Sequence, residues 1–144
     1  MRADAGPFAV HTVSAGLSNP DGASALRFLP ATLAVRRGDV VVWTNPDPME
    51  PHTVAFTSGT TPPTFTELRP QPNGPPLIVI TAENATPAGG TTYTGSGFVG
   101  SGILDNHAPY PRNSYALRID APAGAYEYVC LIHTMMKGTL TVTE

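Results

Sequence analysis

The abundance of proline and glycine is the feature that most constrains how this chain can fold. It has 16 Pro and 14 Gly among 144 residues, and no segment shows a sustained helical period. Both residues are unfavourable inside helices, so a mainly helical fold is disfavoured. Apolar residues make up 41% of the chain, an ordinary share, so the prolines do not indicate disorder. A length of 144 residues fits a single domain spanning residues 1–144.

Short runs of β-branched and aromatic residues mark the predicted strands. They lie at residues 10–13, 52–58, 76–82, 114–120, 124–130 and 138–144, with two more within residues 25–45. Turn residues such as "APAG" separate neighbouring runs. This spacing of short strands and turns predicts an all-β fold, a Greek-key β-sandwich or barrel.

The middle of the chain, residues 57–106, is rich in Thr, Pro, Gly and Ser. Apart from an apolar run at residues 77–81, it shows little regular pattern. Long irregular segments in compact domains are usually functional or mobile. We interpret this region as a long Thr/Pro/Gly-rich insertion. A decoration without chemistry is the favoured interpretation of it, and a functional or mobile segment is the alternative. The sequence leaves its role open.

Charge and cysteine content exclude several classes of function. The net charge of −3 offers no basic surface, so nucleic acid is not an expected partner. A single cysteine excludes an intrachain disulfide and a Cys-rich zinc site. No apolar run approaches the roughly 18–20 residues that a membrane span needs. We therefore expect that the chain does not span a membrane.

The stretch "EYVCLIHTMMKG", residues 127–138, concentrates side chains that bind soft metals. Cys130, His133 and Met136 follow a C-x-x-H-x-x-M spacing. A thiolate, an imidazole and a thioether select copper, and two His with one Cys and a weak axial Met form an electron-transfer copper site. The missing second histidine is best supplied by His52 in "WTNPDPMEPHTVAF". Met135 is the rival of Met136 for the axial place.

Two segments carry a resemblance to a known family. "VRRGDVVVWTNPDPMEPHTVAF" and "GAYEYVCLIHTMMKGTLTV" resemble the ligand-bearing segments of the cupredoxins, the plastocyanin- and azurin-like blue copper proteins. The C-x-x-H-x-x-M loop is similar to that of amicyanin. The resemblance implies a cupredoxin-like fold and a copper ligand set of His52, Cys130, His133 and Met136. Met136 is preferred to Met135 because the family has a Met-x-Gly pattern, which Gly138 completes.

The resemblance also implies contacts around the ligands. The backbone N–H of Thr53 is expected to hydrogen-bond the thiolate, and Asn45 is expected to tie the two ligand loops together. The chain departs from the family by having Ile132 where proline usually precedes the second histidine. It also has Thr53 where asparagine often follows the first. These departures leave the reduction potential and the partner surface open.

The function implied by the resemblance is that of a one-electron carrier with one type 1 copper per chain, and not an enzyme. Redox protein partners are expected to dock near His133, Ile132 and Met135. We expect a monomer in a periplasmic, cell-surface or secreted location, although no signal peptide pattern is visible.

The residues leave alternatives to an electron carrier. The chain is also compatible with an electron-entry domain of a larger copper oxidoreductase, or with copper storage or delivery. A catalytic copper cluster within the chain is not expected, because it has four histidines and two are assigned. Cysteine-protease chemistry lacks an orienting third group. His11 and His107 show no partner pattern and are expected to be surface or hydrogen-bonding residues, and Trp43 is expected in the core.

Overall fold

The computed structural model describes residues 7–107 and 112–144 of the chain. Their regular secondary structure is nearly all β-strand, as predicted. No helix within them is long and apolar enough to cross a membrane. The elements are β1 (Val10–Ser18), β2 (Ser24–Leu29), β3 (Thr32–Arg36), β4 (Val40–Thr44), β5 (Ala55–Phe56), β6 (Thr66–Arg69), β7 (Leu77–Ile80), α1 (Ala82–Ala85), β8 (Thr92–Tyr93), β9 (Val99–Gly100), β10 (Ser114–Ile119), β11 (Gly124–Val129) and β12 (Lys137–Thr143).

Ten of the strands form two five-stranded sheets. The first has the order β2-β1-β4-β10-β8, and the second has the order β3-β12-β11-β5-β9. Parallel pairs join β1 to β4, β8 to β10 and β3 to β12, and the other ladders are antiparallel. The buried residues of both sheets form one apolar core, so the predicted β-sandwich is confirmed.

Alternation along the strands builds this core. In both β10 and β12, every second residue is buried, beginning with the second residue of the strand. Trp43 is fully buried, as expected, and its ring packs against Phe56, Tyr115 and Tyr128. The ring centroids are 5.8, 6.1 and 5.4 Å from that of Trp43. Aromatic contacts therefore join strands of both sheets at the centre of the sandwich.

The prediction of two strands within residues 25–45 is wrong, because the structure has three. β2 ends at Leu29 and β3 begins at Thr32, with Pro30 between them. Proline has no N–H to donate to a ladder, so a strand tends to end there.

The middle segment is more regular than its composition indicates. β6 and β7 form a separate hairpin, whereas β8 joins the first sheet beside β10 and β9 joins the second beside β5. Leu104 also forms an isolated antiparallel bridge with His52. Strands of two residues are too short to leave an alternating pattern in the sequence. Residues of the predicted insertion therefore reach both sheets and the site.

The pairing of β5 with β11 brings two distant parts of the chain together. Ala55 pairs with Val129 in antiparallel register. Residues just before Ala55 therefore run beside residues just after Val129. This register places His52 and Cys130 at the same end of the sandwich.

Candidate metal centre

His52 lies on the loop between β4 and β5 and is held there through its backbone. Its N–H donates to the carbonyl of Leu104 over 3.0 Å, and the Leu104 N–H donates to the carbonyl of His52 over 2.8 Å. The His52 side chain is fully buried. Two backbone hydrogen bonds thus fix the position from which the imidazole enters the interior.

Cys130 follows directly after β11 and is a buried free thiol. The Thr53 N–H donates to Sγ over 3.4 Å, as the resemblance implied, and the Thr53 hydroxyl lies 3.8 Å from the same sulfur. That hydroxyl also accepts the N–H of Leu131 over 2.7 Å. Thr53 therefore joins the loop that carries His52 to the loop that carries Cys130.

Contrary to what the resemblance implied, the hydrogen bonds of Asn45 do not tie the two ligand loops together. Its Nδ2 donates to the carbonyls of Glu50, over 2.9 Å, and Leu104, over 2.8 Å. Its Oδ1 accepts the N–H of Asp47 over 2.8 Å. These bonds close the first ligand loop and attach it to the middle segment, whereas Thr53 makes the bond to the second loop.

The second ligand loop is short and closed by its own backbone. The Cys130 N–H donates to the carbonyl of Met136, and the Met136 N–H donates to the carbonyl of His133, each over 2.9 Å. Met136 is 1% exposed, whereas Met135 is 89% exposed. The burial favours Met136 over Met135 as a group directed inward, and its role as a ligand remains a prediction.

Three of the four predicted ligands converge. The ligand atoms of His52, Cys130 and His133 lie within 4.8 Å of one another. Cys130 Sγ is 3.7 Å from Nδ1 of His133, and the two imidazole centroids are 5.0 Å apart. Residues far apart in the chain thus present two imidazoles and a thiol to one point.

The state of the His52 ring fits a metal ligand. Among the residues that the structure describes, neither ring nitrogen has a hydrogen-bond partner, although both are buried. Buried polar atoms are normally satisfied, so an unpaired imidazole nitrogen beside a thiol indicates a site for another group. Burial lowers the pKa of His52, and the nearby His133 lowers it further, which keeps the ring in the neutral form that binds metals. Two imidazoles and a thiolate are a donor set suited to copper.

Asp47 belongs to the site but was not predicted. Its carboxylate is fully buried, and Oδ1 accepts the N–H groups of Met49, over 2.9 Å, and Glu50, over 3.2 Å. Oδ2 lies 3.7 Å from Nε2 of His52. Burial alone raises the pKa of Asp47, but these N–H bonds and the Ser24 hydroxyl more than offset it, so the pKa lies below its usual value. A loop aspartate carries no sequence pattern that would indicate this position.

Glu50 was also missed. Its Oε2 lies 3.4 Å from Nε2 of His133, and its side chain is 43% exposed against 17% for His133. The ring nitrogen that faces away from Cys130 therefore lies beside a carboxylate. The surface near His133, where redox partners are expected to dock, therefore carries a negative charge that the sequence did not indicate.

Gly16, in β1, is the third site residue that sequence reasoning missed. Its φ is +83°, a left-handed conformation that favours glycine. A Cβ added at Gly16 would overlap Nε2 of His52. The imidazole can occupy its place because this residue has no side chain.

The other two histidines lie outside this group. His11 Nε2 is 2.8 Å from Oδ2 of Asp39. His107 is exposed, and its Nδ1 is 3.1 Å from Oδ1 of Asp105. Both are hydrogen-bonding residues, as predicted.

Comparison with known proteins gives matches at the level of structure. No protein-family model matches the chain, and no curated protein sequence matches it. The chain is similar to an oxidised proline-to-alanine mutant of amicyanin, with 18% identity and a TM-score of 0.53, over 93% of this chain and 82% of that chain. It is similar to a reduced Cu(I) form at pH 4 of a proline-to-glycine mutant, with 20% identity and a TM-score of 0.53, over 99% and 86% of the two chains.

A third similar structure is an oxidised methionine-to-lysine mutant of amicyanin, with 20% identity and a TM-score of 0.52, over 95% of this chain and 91% of that chain. These identities are low, so the similarity concerns the fold. The site adds a His/Cys/His group of the kind that suits a blue copper centre. The chain therefore has the fold of the cupredoxins, the proteins that the segments with its predicted ligands also resemble.

Proposed function

We propose that this protein is a type 1 copper electron carrier that holds one copper ion through His52, Cys130, His133 and Met136. The observation that carries the proposal is the convergence of ligand atoms from His52, Cys130 and His133 within 4.8 Å. Copper, when bound, would supply a one-electron couple between Cu(II) and Cu(I).

The chain's own residues hold this site rigidly, which suits electron transfer. Backbone bonds fix His52 to Leu104, and two donors of Thr53 lie near the sulfur of Cys130. A site that is built by the scaffold rearranges little when the charge at its centre changes. This small rearrangement favours an electron carrier over a site with an open position for substrate.

The partner surface is proposed around the edge of His133. Ile132 is partly buried against the core and Met135 is exposed, as a small apolar docking patch requires. Met49, on the other ligand loop, is 71% exposed, and the residue after it, Glu50, approaches His133. Weak docking on such a small patch suits the short contacts of redox proteins.

The remaining features of the proposal rest on the cupredoxin resemblance. We propose that residues 1–144 form one domain and that the chain acts as a monomer with redox protein partners. A periplasmic, cell-surface or secreted location fits the fold, and the carrier role does not require an enzymatic activity of its own. Bound copper would protect the thiol of Cys130 from disulfide formation, so the protein could keep this cysteine in an oxidising compartment.

Titration with Cu(II) tests the function. We expect one equivalent of Cu(II) to give an intense blue or green absorption from thiolate-to-copper charge transfer, and Cys130→Ser to abolish it. His107→Gln is the matched control, because His107 lies outside the group and should leave the colour and stoichiometry unchanged.

Other results would support other functions. A colourless Cu(II) complex would contradict the type 1 assignment. More than one copper per chain would favour a domain of a copper enzyme. A labile Cu(I) complex without a coloured Cu(II) form would favour copper storage or delivery.

A further inference from the structure

Two buried atoms near the candidate metal centre face each other without a partner. Oδ2 of Asp47 and Nε2 of His52 are 3.7 Å apart, and both side chains are 0% exposed. Neither atom makes a hydrogen bond within the described residues. A distance of 3.7 Å is too long for a hydrogen bond between nitrogen and oxygen. A buried carboxylate oxygen without a donor is costly, so this arrangement calls for an explanation.

The position of Asp47 is fixed by its neighbours. Oδ1 already accepts the N–H groups of Met49 and Glu50, and the Asp47 N–H donates to the Asn45 side chain. The Ser24 hydroxyl also lies near this carboxylate. With Oδ1 used in the loop, Oδ2 is the atom available to His52.

The His52 ring is held in the matching orientation. Its Nε2 edge lies against the backbone of Gly16, where a Cβ would overlap it, and the same nitrogen is the one nearest Asp47. Nδ1 is then the nitrogen left to face the group formed with Cys130 and His133. The ring therefore has one edge for a carboxylate and one for a metal.

We propose that Asp47 is a positioning residue that keeps the proton of His52 on Nε2, leaves Nδ1 as the ligand atom and favours Cu(II) over Cu(I). This proposal rests on the proposed copper function. Neutral imidazole carries one N–H, so a hydrogen bond from Nε2 to Oδ2 of Asp47 leaves the Nδ1 lone pair free. A movement of under 1 Å brings the two atoms into bonding range.

The carboxylate also acts through its charge. Metal-bound imidazoles that donate to a carboxylate are better electron donors, and a buried negative charge stabilises the more highly charged metal ion. The Cu(II) form therefore gains more than the Cu(I) form. The reduction potential of the site is lowered as a result.

Asp47→Asn in the copper-loaded protein tests the charge effect, since it keeps the shape and removes the charge. We expect the visible absorption to persist and the ratio of Cu(II) to Cu(I) affinity to fall at least tenfold, a rise in potential of about 59 mV. Glu50→Gln is the matched control, because it removes an exposed charge beside the other imidazole, and it should raise the potential less. An unchanged potential in Asp47→Asn, or an equal rise in both variants, would overturn the proposal.

A second measurement needs no variant and no copper. Nitrogen-15 NMR of the imidazoles in the wild-type, metal-free protein should show the proton of His52 on Nε2. A proton on Nδ1 would overturn the assignment even if Asp47→Asn fails to fold. A wild-type protein that forms no coloured Cu(II) complex would contradict the proposed function, and the proton position would still decide whether Asp47 orients His52.

Discussion

The carboxylate of Glu50 lies 3.4 Å from Nε2 of His133, the ring nitrogen on the side away from Cys130. The edge through which electrons are proposed to leave therefore carries a negative charge. If the charge of a reagent comes about 6 Å from this carboxylate in water, the two charges interact by about 0.7 kcal/mol, which corresponds to a factor of about three in the rate. We expect Glu50→Gln to slow electron transfer with a small cationic reagent and to speed it with an anionic one by about this factor at low ionic strength.

Stopped-flow kinetics with the two reagents measure the effect, and it should fade as salt is added. Glu83→Gln is the control, since Glu83 lies in the first turn of α1 and carries the same charge. Equal changes in both variants would mean that net charge, and not the position of Glu50, sets the rate.

Gly16 is expected to be required for copper binding. Gly16→Ala would place a Cβ where Nε2 of His52 lies, so the ring must move. We expect copper affinity to fall at least tenfold and the visible absorption to weaken. Isothermal titration and absorption spectra measure the two effects.

Gly22 is a closely matched control for this substitution. Its φ is +84° against +83° for Gly16, and a Cβ there would meet no atom of the described residues within 4 Å. Both alanines carry the cost of a left-handed residue, about 1–2 kcal/mol, so the difference between them isolates the contact with His52. Equal copper affinities in the two variants would show that this contact does not matter.

Substitution by leucine at each position distinguishes Met136 from Met135 as the axial ligand. Leucine has nearly the volume of methionine but no sulfur, so it tests the thioether with little effect on packing. If Met136 is the weak axial ligand, Met136→Leu should change the potential and the visible spectrum, because the axial group tunes both. The exposed Met135→Leu should change neither. A spectral change in Met135→Leu alone would assign the axial place to Met135.

The sequence predicted the convergence of His52, Cys130 and His133 but not the residues that surround them. Cys130, His133 and Met136 lie on one tight loop, so their spacing is visible in the chain, and the unusual donor types indicate a soft metal. Gly16 and Asp47 touch His52 only because separate segments fold together. Such contacts leave no local pattern, since each residue is common in loops and turns.

The strands show the same division between local and long-range information. β10 and β12 alternate over six and seven residues, which is long enough to predict. β8 and β9 have two residues each and are stabilised by neighbours from distant segments. The composition of the middle segment therefore indicated an irregular insertion where the structure has strands that extend both sheets.

Gly138 is expected to be needed for stability as well as for the ligand loop. It pairs with Tyr128 across the β11–β12 ladder, and a Cβ at Gly138 would overlap the Tyr128 ring. Because that ring is fully buried and has little room to move, Gly138→Ala should destabilise the fold by about 1–3 kcal/mol. Urea unfolding measures the loss.

Gly124→Ala on the same ladder provides the comparison. Its added Cβ would meet the Tyr126 ring no closer than 3.5 Å, which is an ordinary contact. We expect it to change the unfolding free energy much less than Gly138→Ala. A similar loss of unfolding free energy in both variants would mean that the effect comes from β propensity and not from the buried ring.

Asp39 is expected to contribute to stability in a manner that depends on pH. It is buried immediately before β4. It accepts hydrogen bonds from His11, over 2.8 Å, from the Ala9 N–H, over 2.8 Å, and from the Arg36 N–H, over 2.9 Å. Burial raises its pKa, but these three bonds more than offset burial, so its pKa in the folded protein is lowered. The carboxylate therefore stabilises the fold while it is ionised.

The sign of the shift fixes the pH window in which this contribution is lost. A folded-state pKa below the unfolded value of about 3.9 means that the stabilisation is fully present above about pH 4. It disappears as the pH falls through the folded pKa. The difference in unfolding free energy between wild type and Asp39→Asn should therefore be constant near neutral pH and shrink below about pH 4.

Urea unfolding from pH 6 down to about pH 2.5 measures this difference, with Asp21→Asn in an exposed turn as the control. A difference that stays constant to the lowest pH would mean that shape, and not charge, accounts for the role of Asp39.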